Sequence, residues 1–278
     1  MHTHPKPSSP FLKWVGGKSR LLPFLLSRLP AGRRLLEPFV GAGAVFLAAE
    51  YPHYVINYVN ADLIAVWHCL QQRPEQFIAN AKSFFTPANL SQAAFLRIRD
   101  EFNASTDALE RVVRLPYLNL FGFNGLYRVN QSGRYNVSFG RPAHVPTFPE
   151  TSMRAAAAKL ARVNVLQGSF EAVMEMARAG DVLYLDPPYC PTTSGKSFVG
   201  YAKQGFGLED HQRLVDFAHA AARRGAHVLV SNHDTPETRR LYAGWAIHET
   251  SVRRSVSASS SRRGIARELL AELASRRP

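Results

Sequence analysis

The amino-acid sequence predicts an α/β fold with an inserted helical lobe that bears a β-hairpin. Two regions of the chain alternate short apolar runs with amphipathic stretches, which is the pattern of strands and helices in an α/β domain. The region between them has helical spacing, together with one short stretch that alternates in strand fashion around a turn. With 278 residues, 46% of them hydrophobic, the chain is long enough for one large core and a smaller lobe.

The first α/β region reads as a β-α-β unit. Its predicted elements are a buried strand, a tight turn, a helix and a second strand, over Arg34 to Phe39, Val40 to Gly43, Ala44 to Glu50 and Tyr54 to Val59. Asp62 follows the second strand. We expect it to be the N-cap of the next helix, because a side-chain oxygen there accepts hydrogen bonds from the first helical N–H groups.

The helical lobe lies between the two α/β regions. Up to about Leu120 the spacing of large apolar residues predicts several amphipathic helices, broken near Pro74 and Pro87. Leu126 to Phe139 then alternates around residues 130–133, Asn-Gln-Ser-Gly, which favour a turn. We therefore predict a basic β-hairpin that projects from the lobe.

The second α/β region follows the lobe. It has predicted strands at Val163 to Leu166, Asp181 to Leu185 and His227 to Ser231, and predicted helices at Leu208 to Arg224 and from Thr235-Pro236 onward. Two edge strands, Ala246 to Val256 and Arg267 to Ala271, are predicted on either side of a polar loop at Ser257 to Gly264.

Charge and cysteine content limit the function classes. The formal net charge of +13 suits a polyanionic partner, and both nucleic acid and an acidic membrane surface would fit it. The two cysteines, Cys69 and Cys190, have no partners at metal-ligand spacing, so we expect neither a disulfide framework nor a metal site. Met1 to Pro10 is polar and proline-rich and no long apolar run follows, so we expect an untargeted, cytoplasmic protein without a membrane span.

The tetrapeptide Asp186-Pro187-Pro188-Tyr189 follows a predicted buried strand, and α/β sheets bind ligands at the carboxyl ends of their strands. An exocyclic amino group on a base is a poor nucleophile, because its lone pair is delocalised into the ring. If the Asp186 carboxylate and the Pro187 carbonyl accept its two hydrogens, the nitrogen is oriented and its developing positive charge is stabilised. Tyr189 offers a ring on which the base can stack. The alternative is an ordinary strand-ending turn.

Two further segments are candidates for cofactor binding. Glu37 to Gly43 places glycines between a strand and a helix, where the backbone can approach a ligand closely, although such a pair of glycines is often only a tight turn. Phe11 to Lys18 joins aromatic, glycine and lysine residues that can stack an adenosine and meet an anion. A flexible, solvated basic arm is the alternative for that segment.

In their order along the chain, these three segments resemble the Dam family of DNA adenine methyltransferases. Tyr117 to Gly140, Ser231 to Thr235, and Val252 to Ser255 leading to Glu268 to Ala271 are similar to the family as well. The resemblance implies a Rossmann-like methyltransferase domain at residues 1–60 and 149–278, with a target (DNA) recognition domain inserted at 61–148. It also implies S-adenosylmethionine as the methyl donor and double-stranded DNA containing GATC as the substrate. We expect a monomer in solution.

The resemblance assigns roles by position. The catalytic residues would be Asp186, Pro187 and Tyr189, and the cofactor-binding residues Trp14, Lys18, Phe39, Gly41, Gly43, Tyr58 and Asp186. The DNA-binding residues would be Lys13, which would help to read an outer base pair, with Asn124 and Arg128 at the target site and Phe123 entering the duplex near a flipped adenine. An aromatic can fill the stack that a flipped base leaves, and an arginine can make bidentate contacts in the major groove. A core aromatic is the alternative for Phe123.

At one position the sequence departs from the family. The family has an acidic residue at the end of its second strand, where a carboxylate binds the ribose hydroxyls of the cofactor, and this chain has Tyr58. A phenol is neutral at pH 7 and lacks the paired acceptor oxygens of a carboxylate. Asn57 and Asp62 are candidates for a compensating hydrogen bond, although we prefer Asp62 as a helix cap. We expect a functional enzyme with weakened cofactor binding.

Two rival functions stay open. A non-catalytic, DNA-binding relative would have lost cofactor binding through Tyr58, but the intact tetrapeptide at Asp186 argues against it. The second rival keeps the chemistry but methylates RNA or another base amine.

Overall fold

The computed structural model describes residues 9–191, 205–253 and 265–275. The helices in these ranges are α1 (Leu22–Leu26), α2 (Ala44–Ala48), α3 (Ala61–Gln72), α4 (Pro74–Lys82), α5 (Gln92–Ala104), α6 (Ala108–Val112), α7 (Leu115–Phe121), α8 (Glu150–Leu160), α9 (Phe170–Glu175), α10 (Leu208–Arg223) and α11 (Pro236–Leu241). Short 3-10 turns occur at Pro87–Asn89 and Phe123–Gly125. The strands are β1 (Arg34–Glu37), β2 (His53–Tyr58), β3 (Val163–Gln167), β4 (Asp181–Leu185), β5 (His227–His233), β6 (Ala246–Arg253) and β7 (Ile265–Leu273).

The strands form one sheet in the order β3-β2-β1-β4-β5-β7-β6. β1 pairs in parallel with β2 and β4, and β4 pairs in parallel with β5, whereas β7 runs antiparallel to β5 and β6. The carboxyl ends of β1, β2, β4 and β5 therefore share one edge of the sheet, which is where α/β folds bind ligands. The predicted α/β class is confirmed.

The described residues group into two compact units. Unit 1 contains residues 9–19, Gly41–Ala49 and Asn60–Val165, and unit 2 contains Arg20–Val40, Glu50–Val59 and the described residues from Leu166 onward. Unit 1 includes helices α2 to α8, and unit 2 includes β1, β2 and β4 to β7. The functional domains at 1–60 with 149–278 and at 61–148 stay predictions. Within the described ranges, no helix has both the length and the apolar character to cross a membrane.

β4 lies at the centre of the unit 2 core and is buried along its whole length. Strands that are covered on both faces need continuous apolar runs, which is why Val182 to Leu185 was predictable as a strand. Asp181, at the start of β4, is 1% exposed and accepts hydrogen bonds from Arg34 at 2.6 Å and from Arg33 at 2.9 Å. Burial by itself would raise the pKa of Asp181, but the hydrogen bonds from Arg34, the Arg178 backbone and Arg33 outweigh it and lower that pKa.

The predicted helices of the lobe are confirmed, and both prolines stand where helical segments begin. Pro74 is the first residue of α4 and Pro87 the first of a 3-10 turn. A proline is tolerated there because its missing N–H has no helical acceptor to lose.

The prediction that Asp62 caps α3 is wrong. The N-cap is Asn60, whose side chain accepts a hydrogen bond from Leu63 N at 2.9 Å. Asp62 lies in the first turn, and its carboxylate accepts from Arg111 at 2.6 and 2.9 Å and from the Tyr127 hydroxyl at 2.6 Å. These partners are far away in sequence, so the local pattern gave no sign of them.

The predicted hairpin is only partly correct. Its turn is present, with Gly133 N donating to the Asn130 carbonyl at 2.9 Å, but within the described lobe its arms form isolated bridges and no regular strands. Two backbone hydrogen bonds join the arms, from Asn130 N to the Arg134 carbonyl at 2.9 Å and from Asn136 N to the Arg128 carbonyl at 3.0 Å. Between them, the Asn103 side chain bonds the N–H and the carbonyl of Tyr135 on the side that faces away from the other arm. Tyr135 is 1% exposed, so this part of the arm packs against the lobe, whereas the turn at residues 130–133 is exposed.

Of the two predicted edge strands, only β6 is at the edge of the sheet. β7 lies between β5 and β6 and pairs with both. The predicted loop at Ser257 to Gly264 lies outside the described residues.

Candidate active site

The tetrapeptide that begins at Asp186 lies directly after β4, at the edge where the parallel strands end. Pro187 is buried, whereas Asp186 and Tyr189 are partly exposed. The Ser231 hydroxyl donates to the Asp186 carboxylate at 3.1 Å, and the Tyr184 hydroxyl lies 2.9 Å from the same serine oxygen. The carboxylate is therefore fixed by residues of both β4 and β5.

The end of β5 holds the rest of this turn. Asn232 is fully buried, and its side-chain oxygen accepts a hydrogen bond from Cys190 N at 3.3 Å. The His233 ring stacks on the Tyr189 ring with centroids 3.3 Å apart and an interplanar angle of 13°. The Tyr189 hydroxyl donates to Glu268 on β7 at 3.0 Å. Three consecutive residues of β5, starting from Ser231, thus contact Asp186, Cys190 directly after the turn, and Tyr189.

The ends of β1 and β2 supply the other unit 2 residues that were predicted for the site. Phe39 is half-buried and stacks on Phe170 with centroids 5.5 Å apart. Tyr58 ends β2, and its carbonyl accepts from Gly168 N at 3.2 Å. Asn57 is 2% exposed and donates both amide hydrogens, to the carbonyls of Pro38 and Gly168 at 3.0 Å each. The N–H groups of Asn57 therefore stabilise the loops around Tyr58.

His211 forms part of the apolar surroundings of Phe39. Its ring meets the Phe206 ring edge-on at 4.8 Å, and Phe206 in turn contacts Phe39 at 5.9 Å. Burial lowers the pKa of His211 to about 4, so the imidazole is neutral at pH 7 and adds no charge there.

In unit 1, the glycine-rich loop is closely packed between two tryptophans. Gly41 and Gly43 have φ angles of 50° and 74°, which favour glycine. A side chain on Gly43 would come within 3.1 Å of the Trp67 ring, and one on Gly41 within 3.3 Å of Trp14. Lys18, in the same unit, is 4% exposed.

The DNA-binding residues predicted from the resemblance are exposed on unit 1. Phe123 is 53% exposed, so it is not a core aromatic. Asn124 has a φ of 54°, a left-handed conformation that few residues other than glycine adopt. Arg128 donates to the Asn136 side chain at 2.8 Å and to its carbonyl at 3.1 Å. Lys13 is exposed as well.

A partly buried polar cluster lies in the same unit. The Tyr127 hydroxyl donates to Asp62, which Arg111 also holds, and the Tyr127 ring lies 5.4 Å from Trp14. Burial and the nearby Asp62 carboxylate raise the pKa of Tyr127, so this phenol stays protonated and remains a donor.

The motifs alone gave no role to several of these residues. In unit 2 they are Ser231, Asn232, His233 and Glu268, and in unit 1 they are Arg111 and Tyr127. The sequence did contain a signal for Ser231, Asn232 and His233, because these polar residues end an apolar strand. The carboxyl end of such a strand is expected at the same edge of the sheet as Asp186. The remaining residues act through partners distant in sequence.

Most of the chain is similar to known proteins. Residues 14–256 match the family model described as D12 class N6 adenine-specific DNA methyltransferase. A DNA adenine methylase of Vibrio cholerae is 41% identical over 262 residues, which cover 94% of each chain. A DNA adenine methylase of Escherichia coli K12 is 38% identical, covering 96% of this chain and 95% of that protein. A DNA N-6-adenine-methyltransferase of Escherichia phage P1 is 40% identical over 95% of this chain and 36% of its own length.

Proposed function

This chain belongs to the D12 class N6 adenine-specific DNA methyltransferases, and we propose that it methylates the adenine of GATC in duplex DNA with S-adenosylmethionine as donor. The observation that carries the proposal is the fixed turn from Asp186 to Tyr189 at the carboxyl edge of the sheet. Its acceptor atoms are held in place before substrate arrives, which is the condition for electrostatic stabilisation of a transition state.

Asp186 and Pro187 act on the amino group of adenine in this proposal. The Asp186 carboxylate and the Pro187 carbonyl accept the two amino hydrogens, which aims the nitrogen lone pair at the methyl group and stabilises the positive charge that develops on nitrogen. The Ser231 hydroxyl holds the carboxylate in the required orientation.

The target adenine must leave the duplex to reach this turn, at a cost of about a few kcal/mol that stacking and hydrogen bonds offset. His233 already covers one face of the Tyr189 ring, so the base would stack on the other face. The exposure of Phe123 supports its role as the side chain that enters the gap in the duplex. Lys13, Asn124 and Arg128 complete the DNA contacts of the recognition domain proposed at 61–148.

S-adenosylmethionine supplies an electrophilic methyl group when it is bound. The residues proposed to hold it are Trp14, Lys18, Phe39, Gly41, Gly43, Tyr58 and Asp186. The half-buried Phe39 ring can stack on an adenine, and the two glycines let the backbone approach a ligand closely. Tyr58 is the exception, because it offers the ribose no carboxylate.

Replacing Tyr58 with aspartate is expected to tighten cofactor binding about tenfold to a hundredfold, because one charge-assisted hydrogen bond contributes about 1.5–3 kcal/mol. Isothermal titration calorimetry with S-adenosylmethionine measures the change. Tyr58→Asn is the matched control, since asparagine has nearly the size of aspartate but carries no charge. Equal affinities of the aspartate and asparagine variants would show that the missing charge is not what weakens binding.

The nature of the acceptor is tested with labelled S-adenosylmethionine and duplex DNA, single-stranded DNA and RNA of one sequence. We expect transfer to the duplex, and an enhanced fluorescence when 2-aminopurine replaces the target adenine, because an unstacked base is less quenched. Preferred transfer to RNA would favour the second rival function. Transfer to the duplex without any fluorescence change would contradict base flipping.

A further inference from the structure

Asn119 connects two segments of unit 1 that are distant in sequence. It lies on α7 and is 1% exposed. Its side-chain oxygen accepts from Lys13 N at 2.8 Å, and its side-chain nitrogen donates to the carbonyls of Lys13 and Gly125 at 2.9 and 2.8 Å. One buried amide therefore holds the backbone of Lys13 on both sides and ties it to the segment Phe123 to Arg128.

The same two segments touch at two other points. A Cβ atom on Gly125 would lie 2.5 Å from Cβ and Cδ of Lys13, so the lysine stem packs directly on the glycine. The Trp14 and Tyr127 rings lie 5.4 Å apart, and Tyr127 is anchored to Asp62. Residues 13 and 14 are thus packed against residues 125 and 127. Among these contacts, only those of Asn119 are hydrogen bonds to the backbone of both segments.

We propose that Asn119 is a positioning residue for sequence recognition, which fixes Lys13 relative to the segment Phe123 to Arg128. The inference rests on the proposed function, in which Lys13 reads an outer base pair and Arg128 the target site. A lysine side chain is long and flexible, so its selectivity depends on where its backbone is held. When Asn119 holds that backbone, Lys13 at the outer base pair and Arg128 at the target site keep one fixed position relative to each other.

Replacing Asn119 with alanine tests the proposal. The quantity measured is the ratio of kcat/KM on a GATC duplex to kcat/KM on a duplex with an altered outer base pair. We expect the ratio to fall about tenfold, in the range of coupling between contacting residues. In a Lys13→Ala background, Asn119→Ala should lower the ratio no further. A merely structural role would affect both duplexes equally and leave the ratio unchanged.

Asn103→Ala is the matched control. Asn103 makes the same pair of side-chain bonds, at 2.7 and 2.9 Å, to the backbone of Tyr135 in the same unit, but it does not hold Lys13. We expect a comparable loss of thermal stability with the discrimination ratio unchanged. A ratio that falls equally in both variants would overturn the specific role of Asn119.

A second pair of variants changes glycines, one of which is Gly125, the residue on which the Lys13 side chain packs. Gly125→Ala must displace Lys13, whereas Gly133→Ala has a similar φ of 76° with no atom within 4 Å of the added methyl group. We expect only Gly125→Ala to lower the ratio, and this pair decides the matter if Asn119→Ala does not fold. An unchanged ratio in folded Gly125→Ala overturns the inference. If the unaltered enzyme does not favour GATC at all, the proposed function has failed instead.

Discussion

Replacing Asp186 with alanine is expected to remove nearly all methyl transfer while DNA binding stays nearly unchanged. The carboxylate lies directly after β4 and is held by the Ser231 hydroxyl, so its loss removes a preorganised acceptor that no neighbouring side chain replaces in the proposed mechanism. Loss of one such group commonly lowers kcat by about a hundredfold to a thousandfold. Single-turnover transfer of labelled methyl measures the effect, and fluorescence anisotropy measures the DNA affinity.

Asp181→Asn is the matched control for this loss, because Asp181 lies at the opposite end of the same strand. Its carboxylate is bound by Arg34 and Arg33, away from the turn that begins at Asp186. Its pKa is lowered, so its ion pairs stabilise the fold at neutral pH and lose that contribution only in acid. We expect Asp181→Asn to lower the melting temperature but to retain transfer per folded molecule. Retained transfer by Asp186→Ala would remove Asp186 from the mechanism.

Replacing Arg128 with alanine is expected to lower discrimination for GATC by roughly tenfold to a hundredfold. Arg128 is exposed at the end of the segment Phe123 to Arg128, and two hydrogen bonds to Asn136 orient its guanidinium. A bidentate arginine contact to a base edge contributes about 1–3 kcal/mol of discrimination. Arg128→Lys should not restore it, because an ammonium lacks the planar pair of donors. Ratios of kcat/KM on GATC and single-substitution duplexes measure the effect.

Arg134→Ala is the control that tests whether Arg128 acts through its positive charge alone or through contacts to a base edge. Arg134 is exposed directly after the turn at residues 130–133, so its removal deletes one positive charge close to Arg128 in the chain. We expect a loss of DNA affinity that is the same for all duplexes, and unchanged discrimination for GATC. The slope of log affinity against log salt concentration should fall in magnitude by about one. Equal loss of discrimination in the two variants would mean that Arg128 acts only through its charge.

The parallel part of the sheet was predictable because its signals are local. The apolar run that ends at Leu185 leads directly into Asp186, and the predicted strand that contains Leu35 and Leu36 leads into the glycine-rich loop, so each motif could be placed at the end of a strand. Parallel pairing then brings these ends to one edge, as the α/β class requires.

Other features depend on partners that a local pattern does not show. Asn60 and Asp62 can both cap a helix, and only the distant Arg111 and Tyr127 explain why Asp62 does not. The inner position of β7, which brings Glu268 to Tyr189, follows from the order of strands and not from their composition.

The proposed specificity is tested most directly by transfer of labelled methyl from S-adenosylmethionine to duplexes with and without GATC. The cofactor is kept at saturation to allow for Tyr58. Incorporation confined to N6 of the GATC adenine is the result that our account predicts. Equal incorporation into both duplexes would contradict the proposed specificity, and retained DNA binding without any incorporation would contradict the proposed catalytic role of the turn at Asp186.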